Sequence, residues 1–392
     1  MTRNDKRESQ GFVDEWVTAH VGDLIQWRRS IHARPELSHQ EFATTEFVAS
    51  TLADAGLQPK VMTTGAGLVC DFGPDNGIRI ALRADLDALP IQEFTGAEYS
   101  SKVDGVAHAC GHDAHTVMLL GAALALHGAP SLPAGVRLIF QPAEETVHGA
   151  LDVIATGAMS GVTRLFALHC DPRLPVGRVG LCAGPLTSAA DYIDLRVDAP
   201  DETIGHPYQP ADPIYSLGTA IVGLPGMLSR RVDPRSGTTM AWGAIEAGNA
   251  RGSASGGGKV TGTLRTGDHA TWLLLEPLVR EIIQSLLAPT GVRYQLDYRR
   301  AVPPVVNDAE SVRIFAEALR VLGPDMQVDT EQSGGGEDFA WYLEEVPGAM
   351  GRLGVWSGSG PQFDLHQPTF DIDERALAVG TRVLANLVLA SA

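Results

Sequence analysis

Between residues 13 and 32, apolar Val17, Val21, Leu24, Ile25 and Ile31 recur at roughly helical spacing, and the pattern returns over 41–55, where Gly56 is a stop signal. The period then shortens. Residues 68–72, 78–83, 136–140 and 164–168 are apolar runs of strand length, and helical segments fall between several of them. One of these, 116–126, is apolar all round and reads as a buried helix. Strands alternating with helices predict an α/β fold whose mostly parallel sheet is flanked by helices. In such sheets ligands gather beyond the carboxyl ends of the strands. Asp85, Asp87, Glu144, Glu145 and His169 all follow predicted strand ends.

The pattern changes near Ser188. Residues 192–197 alternate apolar and polar, the mark of a strand with one wet face. A Pro/Asp-rich stretch over 199–213 leads to a helix over 214–230, strands over 239–245 and 258–265, a helix over 272–287 and a strand over 292–298. The order β-α-β-β-α-β is the ferredoxin-like split motif. It predicts an α+β domain, 189–299, inserted into a catalytic domain made of 1–188 and 300–392. From Val302 the helix/strand alternation resumes.

Composition narrows the functional classes. A chain of 392 residues accords with two domains, and 44% hydrophobic with 20% charged residues is ordinary for a globular protein. With 47 acidic against 30 basic residues the net charge is −17, which argues against nucleic acid or an anionic membrane as partner. The polar first ten residues have no apolar core behind them, so no secretory signal is expected. The apolar run 117–126 is far short of the ~20 residues needed to span a bilayer. Four cysteines, Cys70, Cys110, Cys170 and Cys182, make no disulfide framework, and the cytoplasm is the expected compartment.

The candidate chemistry centres on His108-Ala-Cys-Gly-His-Asp-Ala-His115, at the mouth of the apolar helix. A cysteine and a histidine two residues apart can hold a borderline-soft divalent metal such as zinc, although such a pair alone is often only packing and capping. More donors follow at Gln141-Pro-Ala-Glu-Glu145, His169 and His366. Adjacent carboxylates project differently, so one can bind a metal while the other moves a proton.

Together these motifs resemble the dinuclear metal aminoacylase and carboxypeptidase family, in its branch of hippurate hydrolase, N-acyl-amino-acid amidohydrolase and auxin-conjugate hydrolase. Arg29-Ser-Ile-His-Ala-Arg-Pro-Glu36, Leu82-Arg-Ala-Asp-Leu-Asp-Ala-Leu-Pro90, the Cys110 and Glu144 motifs, Gly335-Gly-Glu-Asp-Phe339 and Leu365-His366 carry the likeness along the whole chain. The resemblance implies Cys110, His112, Glu145, His169 and His366 as ligands of two divalent ions, zinc foremost and manganese, cobalt or nickel as alternatives. Glu144 would be the general base and acid, and Asp87 a carboxylate that orients a ligand. Asp113 and His115 read as supporting or capping groups. The implied reaction is cleavage of the amide bond of an N-acyl amino acid or peptide-like substrate by water that the metals activate and Glu144 deprotonates. A homodimer through the inserted domain is also implied.

The match weakens in that inserted domain. Relatives carry there a histidine that stabilises the oxyanion, and Thr203 occupies its position; His206 stands three residues on. Gly252 occupies the position of an asparagine that helps to bind the substrate carboxylate, whereas Arg265 matches a substrate-binding arginine. Losing an oxyanion donor costs on the order of 10²–10³ in rate. A second reading therefore stays open, a metal-binding homologue with little or no hydrolase activity.

Overall fold

Helix α1 (Arg3–His32) starts well before its apolar stripe. Thr2 accounts for this: its hydroxyl accepts from the Asp5 amide while the Asp5 carboxylate accepts from the Thr2 amide, a reciprocal cap for two N–H groups that the helix leaves open. In the computed structural model, which describes residues 1–199, 211–248 and 257–391, two units form. One comprises Met1–Leu186, Val306–Glu331 and Asp338–Ala392; the other comprises Thr187–Val305 and Gln332–Glu337. No helix of the described residues is long and apolar enough to cross a membrane.

The larger unit continues with α2 (Phe42–Asp54), β1 (Lys60–Val61), β2 (Leu68–Phe72), β3 (Arg79–Asp85), α3 (His112–Gly128), β4 (Gly135–Gln141), α4 (Gly149–Ala155), β5 (Arg164–Pro175), β6 (Val179–Leu181) and β7 (Gly184–Pro185). The other unit holds β8 (Ala189–Asp198), α5 (Pro213–Arg231), β9 (Thr239–Ala247), β10 (Gly257–Thr266), α6 (His269–Leu287) and β11 (Arg293–Val302). The chain returns to the larger unit with β12 (Val306–Asn307), α7 (Ala309–Leu322), β13 (Gln327–Asp329), α8 (Phe339–Leu343), β14 (Gly348–Trp356) and α9 (Arg375–Ala390).

The larger unit is built on an eight-stranded sheet ordered β1-β2-β4-β3-β5-β14-β6-β13. Its centre is parallel, β3 pairing with β4 and β5, and β5 with β14. This is the helix-flanked α/β sheet that the alternation predicts, parallel at its centre but mixed as a whole. Antiparallel pairings enter at β2 with β4 and at β6 with β14. The reason is length: parallel neighbours need a crossover of a dozen or more residues, and the short links from β2 to β3 and from β5 to β6 provide none. Helices α1, α3 and α9 pack on one another, and α3 also packs on β3. Helix α3, apolar all round, is buried over almost its whole length, with Leu24 of α1 and Val383 and Leu387 of α9 in the same core. The N-terminus of α3 is thereby fixed beside the residues that follow β3 and β4, Asp87 and Glu145, and beside His169 within β5.

In the smaller unit the sheet runs β11-β8-β10-β9, antiparallel throughout. Ile193, Leu195 and Val197 are buried at alternate positions of β8. They share a core with Leu217 and Leu224 of α5 and Val279 and Ile283 of α6, so both helices cover one face. Strand β9 lies at an edge and keeps Ile245 exposed.

Candidate metal and catalytic centre

Most donors follow an element end, but β5 runs on to Pro175, so His169 stands inside the strand, not past its end where the sequence predicts it. Asp85 closes β3 and Asp87 follows it; Glu144 and Glu145 follow β4. Cys110, Gly111 and His112 form the turn into α3. Gly111 is its N-cap in left-handed backbone, φ 89°, and a Cβ there would sit 3.0 Å from Cys170 Sγ. A residue other than glycine would meet both the wrong backbone and that sulfur. His366 arrives on a loop whose amide donates to the Ala109 carbonyl at 2.8 Å, which ties it to the cysteine turn.

The structure brings together all five residues read as ligands. Cys110 Sγ lies 3.5 Å from His169 Nε2 and 3.4 Å from His366 Nε2. His366 Nε2 is 3.6 Å from Glu145 Oε1, and His112 Nε2 is 3.9 Å from the same oxygen. Glu144 Oε2 lies 4.0 Å from His112 Nε2. Three overlapping groups able to hold a metal result: Cys110, His112 and His169; Cys110, Glu145 and His366; His112, Glu144 and Glu145.

The surrounding hydrogen bonds decide which ring nitrogens point into the cluster. His112 Nδ1–H donates to Asp87 Oδ1 at 3.2 Å, leaving Nε2, which is buried without a hydrogen-bond partner. His169 Nδ1–H donates to the Cys170 carbonyl at 2.8 Å, which turns Nε2 toward Cys110. Fixing the far nitrogen of a ligating imidazole is how metal sites set tautomer and orientation. His115 differs. Its Nδ1–H donates to Asp85 at 2.6 Å and its Nε2 accepts from the Cys170 amide at 2.9 Å, so both ring nitrogens are engaged. This agrees with a supporting role for His115, although it forms a third histidine–carboxylate group with Asp85 and His112. Asp113 accepts from Arg28 Nε at 2.7 Å and His32 Nδ1 at 2.8 Å.

The electrostatics favour positive charge at this place. Burial works against the His112 imidazolium, yet Asp85, the Asp87 hydrogen bond and Glu145 hold its pKa up to about 10. His169, buried and facing His115 and His112, drops to about 3 and is neutral. Burial, with Asp87 and Asp85 nearby, pushes Glu145 up to about 7 against the pull of His112. A thiol, imidazoles and carboxylates in this arrangement, with a buried imidazole nitrogen lacking a partner and a carboxylate field around it, fit a divalent cation.

The comparisons with known proteins agree. Residues 81–390 match the model of peptidase family M20/M25/M40. The chain belongs to this family. A Rhodococcus jostii relative named as a glutamate–cysteine ligase is 50% identical over 366 residues, 93% of this chain but 46% of that protein, so the chain spans about half of it. The N-acetylcysteine deacetylase of Bacillus subtilis is 35% identical over 372 residues, covering 93% of this chain and 96% of the relative. Among solved structures, the Bacillus subtilis YXEP protein, described as a dinuclear metal binding peptidase of family M20, superposes with a TM-score of 0.83 at 34% identity, covering 95% of this chain and 98% of that one.

Within this M20 chain, the pairing of several buried polar groups escaped the sequence reading. Arg83, fully buried, donates to Gln141, Asp85 and Asp338 at 2.9, 2.7 and 2.9 Å. Asp338 also accepts from Gln141 Nε2 and from the Ala150 amide, each at 2.9 Å. The available signal was a charged residue inside a strand buried on both faces: Arg83 had to be paired. Ser38 donates to Asp87 Oδ2 at 2.6 Å, and Glu41 accepts from the Ala143 amide at 2.7 Å. In the smaller unit Arg265 Nη1 donates to the Gly334 carbonyl at 2.6 Å. Thr203, His206 and Gly252 lie outside the described residues.

Proposed function

We propose that this chain is a metal-dependent amidohydrolase that releases an amino acid or amine from an N-acyl amino acid or related peptide-like substrate. Cys110, His112, Glu145, His169 and His366 would hold two divalent ions, zinc foremost. The observation that carries this reading is the convergence of these five donors with Glu144 set beside them. Bound there, the ions would polarise the amide carbonyl and make hydroxide accessible near neutral pH. Glu144, whose carboxylate faces the cluster, takes the proton from the attacking water and delivers it to the leaving nitrogen. Asp87 keeps the His112 ring in one tautomer and receives the amides of Glu144 and Glu145 at 3.1 and 3.0 Å, so one carboxylate orients ligand and base together.

The first substrates to test are N-acyl cysteines. A relative 35% identical is named N-acetylcysteine deacetylase, and the Rhodococcus relative carries the name of an enzyme that uses cysteine. A thiolate ligand at Cys110 also suits the reducing cytoplasm. Arg265 would help to bind the substrate carboxylate once released from Gly334. The metal-binding but inactive reading rests on Thr203 and Gly252, and the retained Glu144 opposes it. The test is elemental analysis, expected to find about two divalent ions per chain, with hydrolysis assays on N-acetylcysteine, N-acetyl, N-benzoyl and dipeptide substrates. Metal without turnover on any of them would favour the inactive homologue.

A further inference from the structure

The loop after β4 carries both glutamates, and its backbone is strained. Ala143 and Val147 have φ 58° and 59°, in the left-handed region that residues with a Cβ rarely adopt. The turn is also tight: a Cβ on Gly149 would fall 1.7 Å from the Pro142 carbonyl oxygen. Such conformations persist only where the surroundings over-determine them. Here three consecutive amides are each received by a buried carboxyl oxygen: Ala143 by Glu41 Oε1 at 2.7 Å, Glu144 by Asp87 Oδ1 at 3.1 Å, and Glu145 by Asp87 Oδ2 at 3.0 Å.

Besides the Ala143 amide, the Glu41 carboxyl is held by its own backbone amide and that of His39, so it spans its own turn and the catalytic loop. It stands at the N-cap of α2, yet its side chain makes no capping hydrogen bond. The open amides of that helix, Ala43 and Thr44, are taken by Glu36 at 2.9 and 2.8 Å. Glu41 is fully buried, and its Oε2 has no hydrogen-bond partner. A buried carboxyl costs more free energy than an apolar side chain of similar size unless its hydrogen bonds repay the difference.

We propose that Glu41 is a positioning residue for the catalytic loop: by receiving the Ala143 amide it holds residue 143 in its left-handed turn and so aims Glu144 and Glu145 into the donor cluster. This rests on the roles assigned to those two glutamates above. The role requires an acceptor oxygen rather than a charge, so Glu41→Gln should preserve it and Glu41→Leu should abolish it.

The test is amide hydrogen exchange across residues 141–150 of the metal-free protein, read beside kcat and KM of the metal-loaded protein. Glu41→Gln should retain both the protection and the activity of the parent chain within a few-fold. Glu41→Leu should exchange this segment about tenfold faster. Its kcat should fall by roughly 10–100-fold with KM little changed, as expected for a misplaced catalytic group. Adding Ala143→Gly, which makes the left-handed turn accessible without help, should return part of the lost kcat. Should Glu41→Leu not fold, Glu41→Ser with and without Ala143→Gly is read in the same way, since the smaller side chain leaves room for water. Unchanged exchange and kcat in the Leu or Ser variant would overturn the proposal, as would a loss that neither Gln nor Ala143→Gly relieves. A parent chain that binds no metal and cleaves no amide would instead sink the functional reading, and the exchange comparison would still decide the role of Glu41.

Discussion

Glu144 and Glu145 are neighbours in sequence for which different tasks are proposed, and their surroundings differ. Glu145 Oε1 lies within 3.9 Å of two imidazole nitrogens, those of His366 and His112. Glu144 Oε2 lies 4.0 Å from the second of these. Glu144→Gln should therefore cut turnover by about 10²–10⁴ with metal content unchanged, because it removes the base and keeps the shape. Glu145→Gln should lower metal content instead, and elemental analysis of both variants decides; the reverse pattern would exchange their roles. Arg83 permits a stability prediction. It neutralises Asp85 and Asp338 where all three are buried, so Arg83→Met should cost on the order of 3–5 kcal/mol in urea denaturation. A loss below about 1 kcal/mol would mean that the carboxylates find other partners.

At the level of elements, α1 and α3 are joined by a buried polar network as well as by apolar packing. Arg28 and His32 near the end of α1 meet Asp113 in the first turn of α3, and His32 Nε2 lies 3.3 Å from Glu93. Burial disfavours the charged His32 ring, but Asp113 and Glu93 outweigh it and raise its pKa from 6.5 to about 9. A folded-state pKa raised above the unfolded value means stabilisation that is complete below pH 6.5 and lost as pH rises through about 9. The contribution is at most about 3 kcal/mol. Unfolding free energy of the metal-free chain should fall over that window, and His32→Asn should flatten the fall. A parent curve flat from pH 6.5 to 9 would show that the ring does not charge on folding.

For the whole molecule, the proposals concern ligand linkage and assembly. If two ions bind only the folded state, their removal by a chelator should lower the melting temperature by several degrees, reversibly on zinc addition. An unchanged melting curve would argue that the cluster is empty under working conditions. A homodimer through the smaller unit is the second expectation. Among the described residues its sheet leaves β9 at an edge with Ile245 exposed, and a sheet edge invites pairing with another chain. Light scattering at micromolar concentration should give twice the chain mass; a monomer would overturn it.

The periodicity of the chain by itself determined the fold class and many of the elements before residue 302, and beyond it only that helices and strands alternate. The strands expected over 68–72, 136–140 and 258–265 are β2 (Leu68–Phe72), β4 (Gly135–Gln141) and β10 (Gly257–Thr266), because apolar spacing records which side of an element is dry. Donor chemistry was legible for a related reason: a thiol, imidazoles and carboxylates recurring past strand ends have few other uses. Helix α1 ran longer than its apolar stripe because a polar cap, invisible to hydrophobic periodicity, extends it. Only the tertiary structure decided which ring nitrogens face the cluster, that His115 has both of its own engaged, and that Arg83 and Asp338 meet. It alone joined Glu41 to Ala143 and placed Gln332–Glu337 with the smaller unit. These are pairings between residues far apart in the chain, and no local pattern encodes the partner of a buried polar group. Sequence shows that such a group must be satisfied, and the fold determines by what.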